Sequence, residues 1–133
     1  MITSAEEFVR LRNSDEIELY TRAAHDSAPE EVWLDVIHRY PEMKKWVAHN
    51  KTVPHSILRI LATDADSDVR SMVARKRKAE WAILEALAND PCESVRSAVA
   101  YNRKTPPYIL QRLAADPCED IVEVVRKRLA SES

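Results

Sequence analysis

The sequence predicts an all-α fold, a right-handed α-solenoid of about five stacked short helix pairs. Three observations predict it. The chain repeats itself every 26 residues: Pro54–Lys78, Glu80–Lys104 and the stretch beginning at Pro106 align register for register. A period in the range of roughly 20–50 residues marks a repeat array. Within each repeat the apolar residues recur at helical rather than alternating spacing, and no stretch shows the period-two pattern of a strand.

The 133 residues are enough for one domain with a sizeable core. The first 28 residues read as a degenerate capping unit. Ser4-Ala-Glu-Glu7 offers a capping box, and Phe8 and Leu11 give an apolar side. Ser14 is placed to cap a second helix carrying Ile17 and Tyr20. An end unit of a repeat array is expected to be atypical with a polar outer face.

Four repeats follow, at 29–52, 54–78, 80–104 and 106–129. In the first, Trp33, Leu34 and Ile37 are matched to Ile57, Leu58 and Leu61, and Met43, Val47 and Ala48 to Val69, Val73 and Ala74. That alignment makes its internal turn two residues shorter, with Pro41 at a first helical position. The later repeats carry one stripe on helix one: Ile57, Leu58, Leu61, Ala62; Ile83, Leu84, Leu87, Ala88; Ile109, Leu110, Leu113, Ala114. Pro54 and Pro106 stand near the first turn, where a missing amide costs nothing, and Thr105 is read as an N-cap. Helix two begins behind Asp64, Asp90 or Asp116, read as caps, and buries Val69/Val73, Val95/Val99 and Ile121/Val125. Asn50 and Asn102 end it, where asparagine serves as the left-handed residue in place of glycine.

Composition excludes several chemistries. Glycine is absent, where ordinary usage predicts about nine. Phosphate-cradling GxGxxG and GxxxxGK[ST] loops and the GxSxG elbow cannot be written without it. Cys92 and Cys118 lie one period apart, on helices expected about 8–10 Å from each other, so two free thiols in a reducing compartment are expected. Neither cysteine stands in a metal-binding spacing. No cofactor is implied. The N-terminus lacks a signal peptide's apolar centre and no apolar run reaches membrane-spanning length, which points to the cytoplasm. Net charge is −2, but residues 1–43 carry −6 and residues 44–133 carry +4, giving a directional surface field.

The run Leu84-x-x-Leu87-Ala88-x-Asp90, then Val95-Arg96-x-x-Val99-Ala100-x-Asn102-x-x-Thr105-Pro106, resembles the leucine-rich variant repeat, of the HEAT-like class of α-solenoids. The likeness covers residues 54–128 well and 29–52 loosely. It implies a curved stack of short helices serving as a binding scaffold. Some members carry a cysteine-rich, cluster-binding segment ahead of the repeats; residues 1–91 here contain no cysteine, so that feature is not carried over. The columns Asp64/Asp90/Asp116 and Lys44/Arg70/Arg96 resemble the aspartate–arginine pairs that tie HEAT-like units together.

Other columns vary as a recognition surface would. His49, Arg75, Tyr101 and Lys127 share one position on the outward side of helix two, the face that lines the groove in an α-solenoid. Lys45, Ser71, Ser97 and Glu123 share the next. Tyrosine and arginine are enriched at binding hot spots, and a solvated helix face is the plainer alternative. A basic ridge follows the turns: Lys51, then Arg75-Lys-Arg77-Lys78, then Arg103-Lys104, then Arg126-Lys-Arg128. It suits an acidic protein or a phosphate backbone, and equally the C-terminal ends of helix dipoles. Trp33 and Trp46 read as core, whereas Trp81 stands where the other repeats have His55 and Pro107, as an exposed anchor or a local packing residue.

Four histidines lack certified catalytic partners, so no catalytic residue is assigned and a non-enzymatic protein is expected. HEAT-like DNA glycosylases resemble this chain only at repeat level. The functional expectation is a scaffold that binds another protein through its second helices, with no small-molecule or membrane site evident. An immunity or antitoxin-like protein is a sharper version, and nucleic-acid binding along the ridge is the rival.

Overall fold

The protein, seen in a computed structural model, is described over residues 1–132. Ten α-helices and one short 3-10 turn account for its regular structure, and no strand occurs among the described residues. The chain divides into two compact units, Met1–Leu61 and Ala62 onward. The division falls within the repeat at 54–78, after its first helix.

The first unit holds α1 (Ala5–Arg12), α2 (Ile17–His25), α3 (Glu30–Arg39), the 3-10 turn Pro41–Met43, α4 (Lys44–His49) and α5 (His55–Leu61). Ser4 caps α1, its hydroxyl accepting from the Glu7 amide at 3.1 Å. The Glu7 carboxylate closes the box one residue early, accepting from the Thr3 amide at 2.8 Å. Phe8 and Trp33 are both fully buried and meet edge to face, ring centroids 5.2 Å apart, locking α1 onto α3. Pro41 opens the 3-10 turn at its first position, as its fixed φ favours.

Four expectations for this unit are corrected. On α3 the buried residues are Val32, Trp33 and Val36, while Leu34 is 41% exposed and Ile37 only half-buried. The helix is therefore rotated by one residue from the expected register. Matching Val32, rather than Trp33, to Ile57 also shortens the internal turn by one residue instead of two. Ile17 and Tyr20 of α2 face solvent, and only Ala23 of that helix is buried, so the end unit does not present a wholly polar exterior. Ser14 does not cap α2; it accepts from the Glu16 amide at 3.1 Å and forms the turn before the cap. Asn50 is not left-handed. Its φ is −60°, and its fully buried side chain donates to the carbonyls of Ala23 and Asp26 at 2.8 and 3.0 Å.

The second unit holds α6 (Ser67–Ala74), α7 (Trp81–Leu87), α8 (Glu93–Tyr101), α9 (Pro107–Leu113) and α10 (Glu119–Glu132). α8 packs against both α6 and α10, and each of α7 and α9 packs on its neighbours in this set. The predicted stripes form most of its core, but Ala114 is exposed and Ala62 only half-buried. Ile83, Leu84, Leu87, Ile109, Leu110 and Leu113 of the first-helix positions are buried, as are Val69, Val73, Val95, Val99, Ile121 and Val125 of the second. Each such aliphatic contributes roughly 1.5–3 kcal/mol on burial. Pro106 stands at the N-cap of α9, its carbonyl accepting from the amides of Ile109 and Leu110.

Local chemistry at the helix ends departs from expectation here too. Asp90 does not cap α8, which begins after Cys92; its carboxylate, two residues ahead of the N-cap, accepts from the Cys92 amide at 2.8 Å. Asp116 repeats this with the Cys118 amide at 2.9 Å, and Asp64 with the Asp66 amide at 3.0 Å. The true cap of α6 is Asp66, which accepts from the Asp68 amide. Pro91 and Pro117 accordingly lie in the turns before α8 and α10. Thr105 is buried and donates its hydroxyl to the Val99 carbonyl at 2.7 Å, leaving the cap position to Pro106.

Asn102 ends α8 at φ −70°, and no described residue has a positive φ. Its buried amide donates to the carbonyls of Ala74 and Lys76 at 2.7 and 2.9 Å, while its oxygen accepts from the Lys104 amide. One repeat later Arg128 donates to the equivalent carbonyls of Ala100 and Asn102, both at 2.8 Å. The repeats at 80–104 and 106–129 therefore each reach back to the helix end of the one before.

Candidate partner-binding face

Two ion pairs tie successive repeats together around α6 and α8. Arg70 of α6 donates to the Asp90 carboxylate through two nitrogens, at 2.7 and 3.1 Å, and to the carbonyls of Asp64 and Ala65. Arg96 of α8 does the same with Asp116, at 2.8 and 3.3 Å, and with the carbonyls of Asp90 and Pro91. The tie expected from the two columns is thus present in this unit. Both side-chain pairs are largely buried. Burial alone would raise the Asp90 carboxyl, but hydrogen bonds from Arg70 and the Cys92 amide outweigh it and hold the group below the usual carboxylate range. The partner carboxylates push the Arg70 and Arg96 guanidiniums up despite desolvation.

Arg75 at the end of α6 and Ser94, Ser97, Ala98 and Tyr101 of α8 line an open groove of about 450 Å³. Ser94, Ser97 and Tyr101 share one face because their spacing follows the helical turn. Two of the expected recognition residues, Arg75 and Tyr101, are therefore brought together, with Tyr101 66% exposed. Ser94 was not singled out in sequence; its three-residue spacing from Ser97 was the available signal. Ser71, expected outward beside Arg75, is instead buried, and its hydroxyl has no hydrogen-bond partner among the described residues.

The other expected residues distribute differently. Lys127 of α10 is exposed and pairs with Glu123 at 3.2 Å, a bond that solvent screens. His49 belongs to the first unit, exposed at the end of α4, its ring 5.9 Å from that of Trp46. Trp81 is 58% exposed but sits on α7, edge to face with Tyr108 of α9 at 6.2 Å. Glu85 holds that neighbourhood together, accepting from the Tyr108 hydroxyl and Arg112, each at 3.1 Å. Trp81 thus packs with α9 and is not among the residues that line the α6/α8 groove.

The basic ridge is less uniform than its sequence. Lys51, Arg77, Arg103 and Lys104 are exposed, but Lys78 is half-buried, and desolvation pushes its amine down. Arg128 is committed to backbone carbonyls.

Cys92 and Cys118 are free thiols, Cys92 beside the Ser94 hydroxyl at 3.0 Å and Cys118 donating to Glu93 at 2.8 Å. Hydrogen bonding to Ser94 lowers the Cys92 thiol. Among the described residues no group of three or more His, Cys, Asp or Glu could hold a metal ion, and no helix is long and apolar enough to cross a membrane.

Sequence reasoning missed a cleft in the first unit. Trp46, expected in the core, is only half-buried, and the Arg12 guanidinium lies 3.4 Å from its ring centroid. The cleft beside them encloses about 260 Å³. One signal was available, an indole where the equivalent positions hold Met72 and Ala98. No family model, curated protein or solved structure matches the chain.

Proposed function

We propose that this protein is a non-enzymatic helical-repeat scaffold that binds another protein through the face carrying Arg75, Ser94, Ser97 and Tyr101. The observation that carries the reading is the juxtaposition of a cation and a 66%-exposed tyrosine along one open groove. An arginine and a tyrosine on a rigid helical platform are the side chains that most often anchor a protein interface. The Arg70–Asp90 and Arg96–Asp116 ion pairs support the reading, since each ties one repeat to the next. The solenoid arrangement belongs to the same proposal. It is supported by α8 packing against α6 and α10, and by the side-chain pairs joining α7 to α9.

The expected partner surface is acidic and carries hydroxyl-matching polar groups, because the groove offers Arg75 and three hydroxyls and no carboxylate among the residues that line it. Affinity capture at about 150 mM salt with nuclease present tests this. A stoichiometric protein that is released by Tyr101→Ala supports the reading. Recovery of nucleic acid alone, lost when Arg77 and Arg103 are reversed to Glu, would move the function to the ridge.

A further inference from the structure

The cleft in the first unit has the makings of an anion site, independent of the α6/α8 face. It is lined by Arg12 of α1, Tyr20, Thr21 and His25 of α2, Trp46 and His49 of α4, and two alanines. The segment that supplies most of it, residues 1–43, carries a net charge of −6. Even so, no carboxylate lines the cleft, and its one permanent charge is the Arg12 guanidinium.

Arg12 is held in an unusual way for a structural arginine. Its face lies on the Trp46 indole, 3.4 Å from the ring centroid, and it makes no hydrogen bond or ion pair among the described residues. A guanidinium stacked by its face keeps its in-plane N–H groups available at the edge. The Tyr20 hydroxyl, likewise without a hydrogen-bond partner among the described residues, lines the same cleft. Arg22 and Arg39 of this unit are spent on Asp26, and on Asp35 and Glu6. Of these three, Arg12 alone has no carboxylate partner among the described residues.

We infer that this cleft binds a carboxylate attached to a small apolar or aromatic body, with Arg12 and Tyr20 holding the carboxylate and Trp46 and the alanines contacting the body. About 260 Å³ is smaller than the usual pocket for a drug-sized ligand, which limits the occupant to one ring or one side chain. The same chemistry is offered by a free aromatic acid and by the C-terminal residue of a polypeptide.

The test is a titration of the full chain followed by the Trp46 indole N–H and the Thr21 and Ala24 amides in two-dimensional NMR. Benzoate stands for the free acid and N-acetyl-phenylalanine for the chain terminus. Benzylamine and N-acetyl-phenylalanine amide are the controls that keep the ring and remove the negative charge. Saturable shifts with either acid and none with the controls are expected, and the acid that binds tighter identifies the source. Arg12→Gln weakens binding at least roughly tenfold, and Tyr20→Phe, which removes only a hydroxyl, weakens it about threefold or more. Absence of saturable shifts with both acids overturns the inference. So do equal responses to benzylamine, or acid binding that survives both Arg12→Gln and Tyr20→Phe in folded protein.

Discussion

Arg96 of α8 grips Asp116, 20 residues further along the chain, through two charge-assisted hydrogen bonds, and the same guanidinium satisfies the carbonyls of Asp90 and Pro91. Asp90 in turn is gripped by Arg70. One aspartate therefore serves the repeat before it by its carboxylate and its own repeat's arginine by its carbonyl. Links of this kind join successive repeats of the unit that carries Arg75 and Tyr101.

Breaking one clamp leaves a largely buried charge without its partner. Arg96→Met is expected to cost about 1.5–3 kcal/mol, read as a lowered urea midpoint. Asp116→Asn adds little on top of it, because the two residues act as a unit. Additive losses in that cycle would mean that the pair contributes nothing as a pair.

Acid dependence follows from Asp90. Its folded-state carboxyl sits below the ordinary value, so the unfolded chain binds the proton more readily. The stabilisation is fully present above about pH 4, the unfolded value, and is lost as pH falls through the lower folded value. Urea unfolding of the native protein and of Arg70→Met from pH 7 to pH 3 should show a stability gap that narrows on the acid side. A constant gap would show that Asp90 titrates normally.

Asn102 separates two explanations of a helix end. As a left-handed cap it would be replaced by glycine without loss. As a brace it holds the Ala74 and Lys76 carbonyls, which glycine cannot do. Asn102→Gly is therefore predicted to lose on the order of 2 kcal/mol, as much as Asn102→Ala or more. A neutral glycine variant would restore the capping explanation.

At the last repeat Arg128 carries the bracing role. Arg128→Met should raise amide hydrogen exchange along the C-terminal turns of α10 while leaving α7 unchanged, since the lost bonds are those to Ala100 and Asn102. Uniformly faster exchange across the second unit would instead mean global destabilisation.

Much of the helical framework was legible because the 26-residue period repeats its aliphatic stripes, and burial of those stripes forces the helix faces. The aspartate and arginine columns were legible for the same reason. What escaped sequence reading were choices between local and distant partners. Asn102 and Thr105 carry side chains that suit a cap, and the nearby carbonyls of other turns won them instead. On α3, Val32, Trp33 and Leu34 are all apolar, so a one-residue rotation leaves the pattern intact and only packing against Phe8 decides it. Arg75 and Tyr101 were legible as one column. The pairing of Arg12 with Trp46 was not, since it joins α1 to α4 across 34 residues without any repeat to announce it.

The most direct test of the proposed function is the affinity of the captured protein partner for the native chain, for Arg75→Glu and for Tyr101→Ala, measured by calorimetry on folded variants. Both side chains project from the surface, so thermal stability should hardly change. The account predicts that each variant weakens binding at least roughly tenfold, while Arg77→Glu weakens it less. Undiminished binding by Arg75→Glu and Tyr101→Ala would contradict it and place the partner on another face.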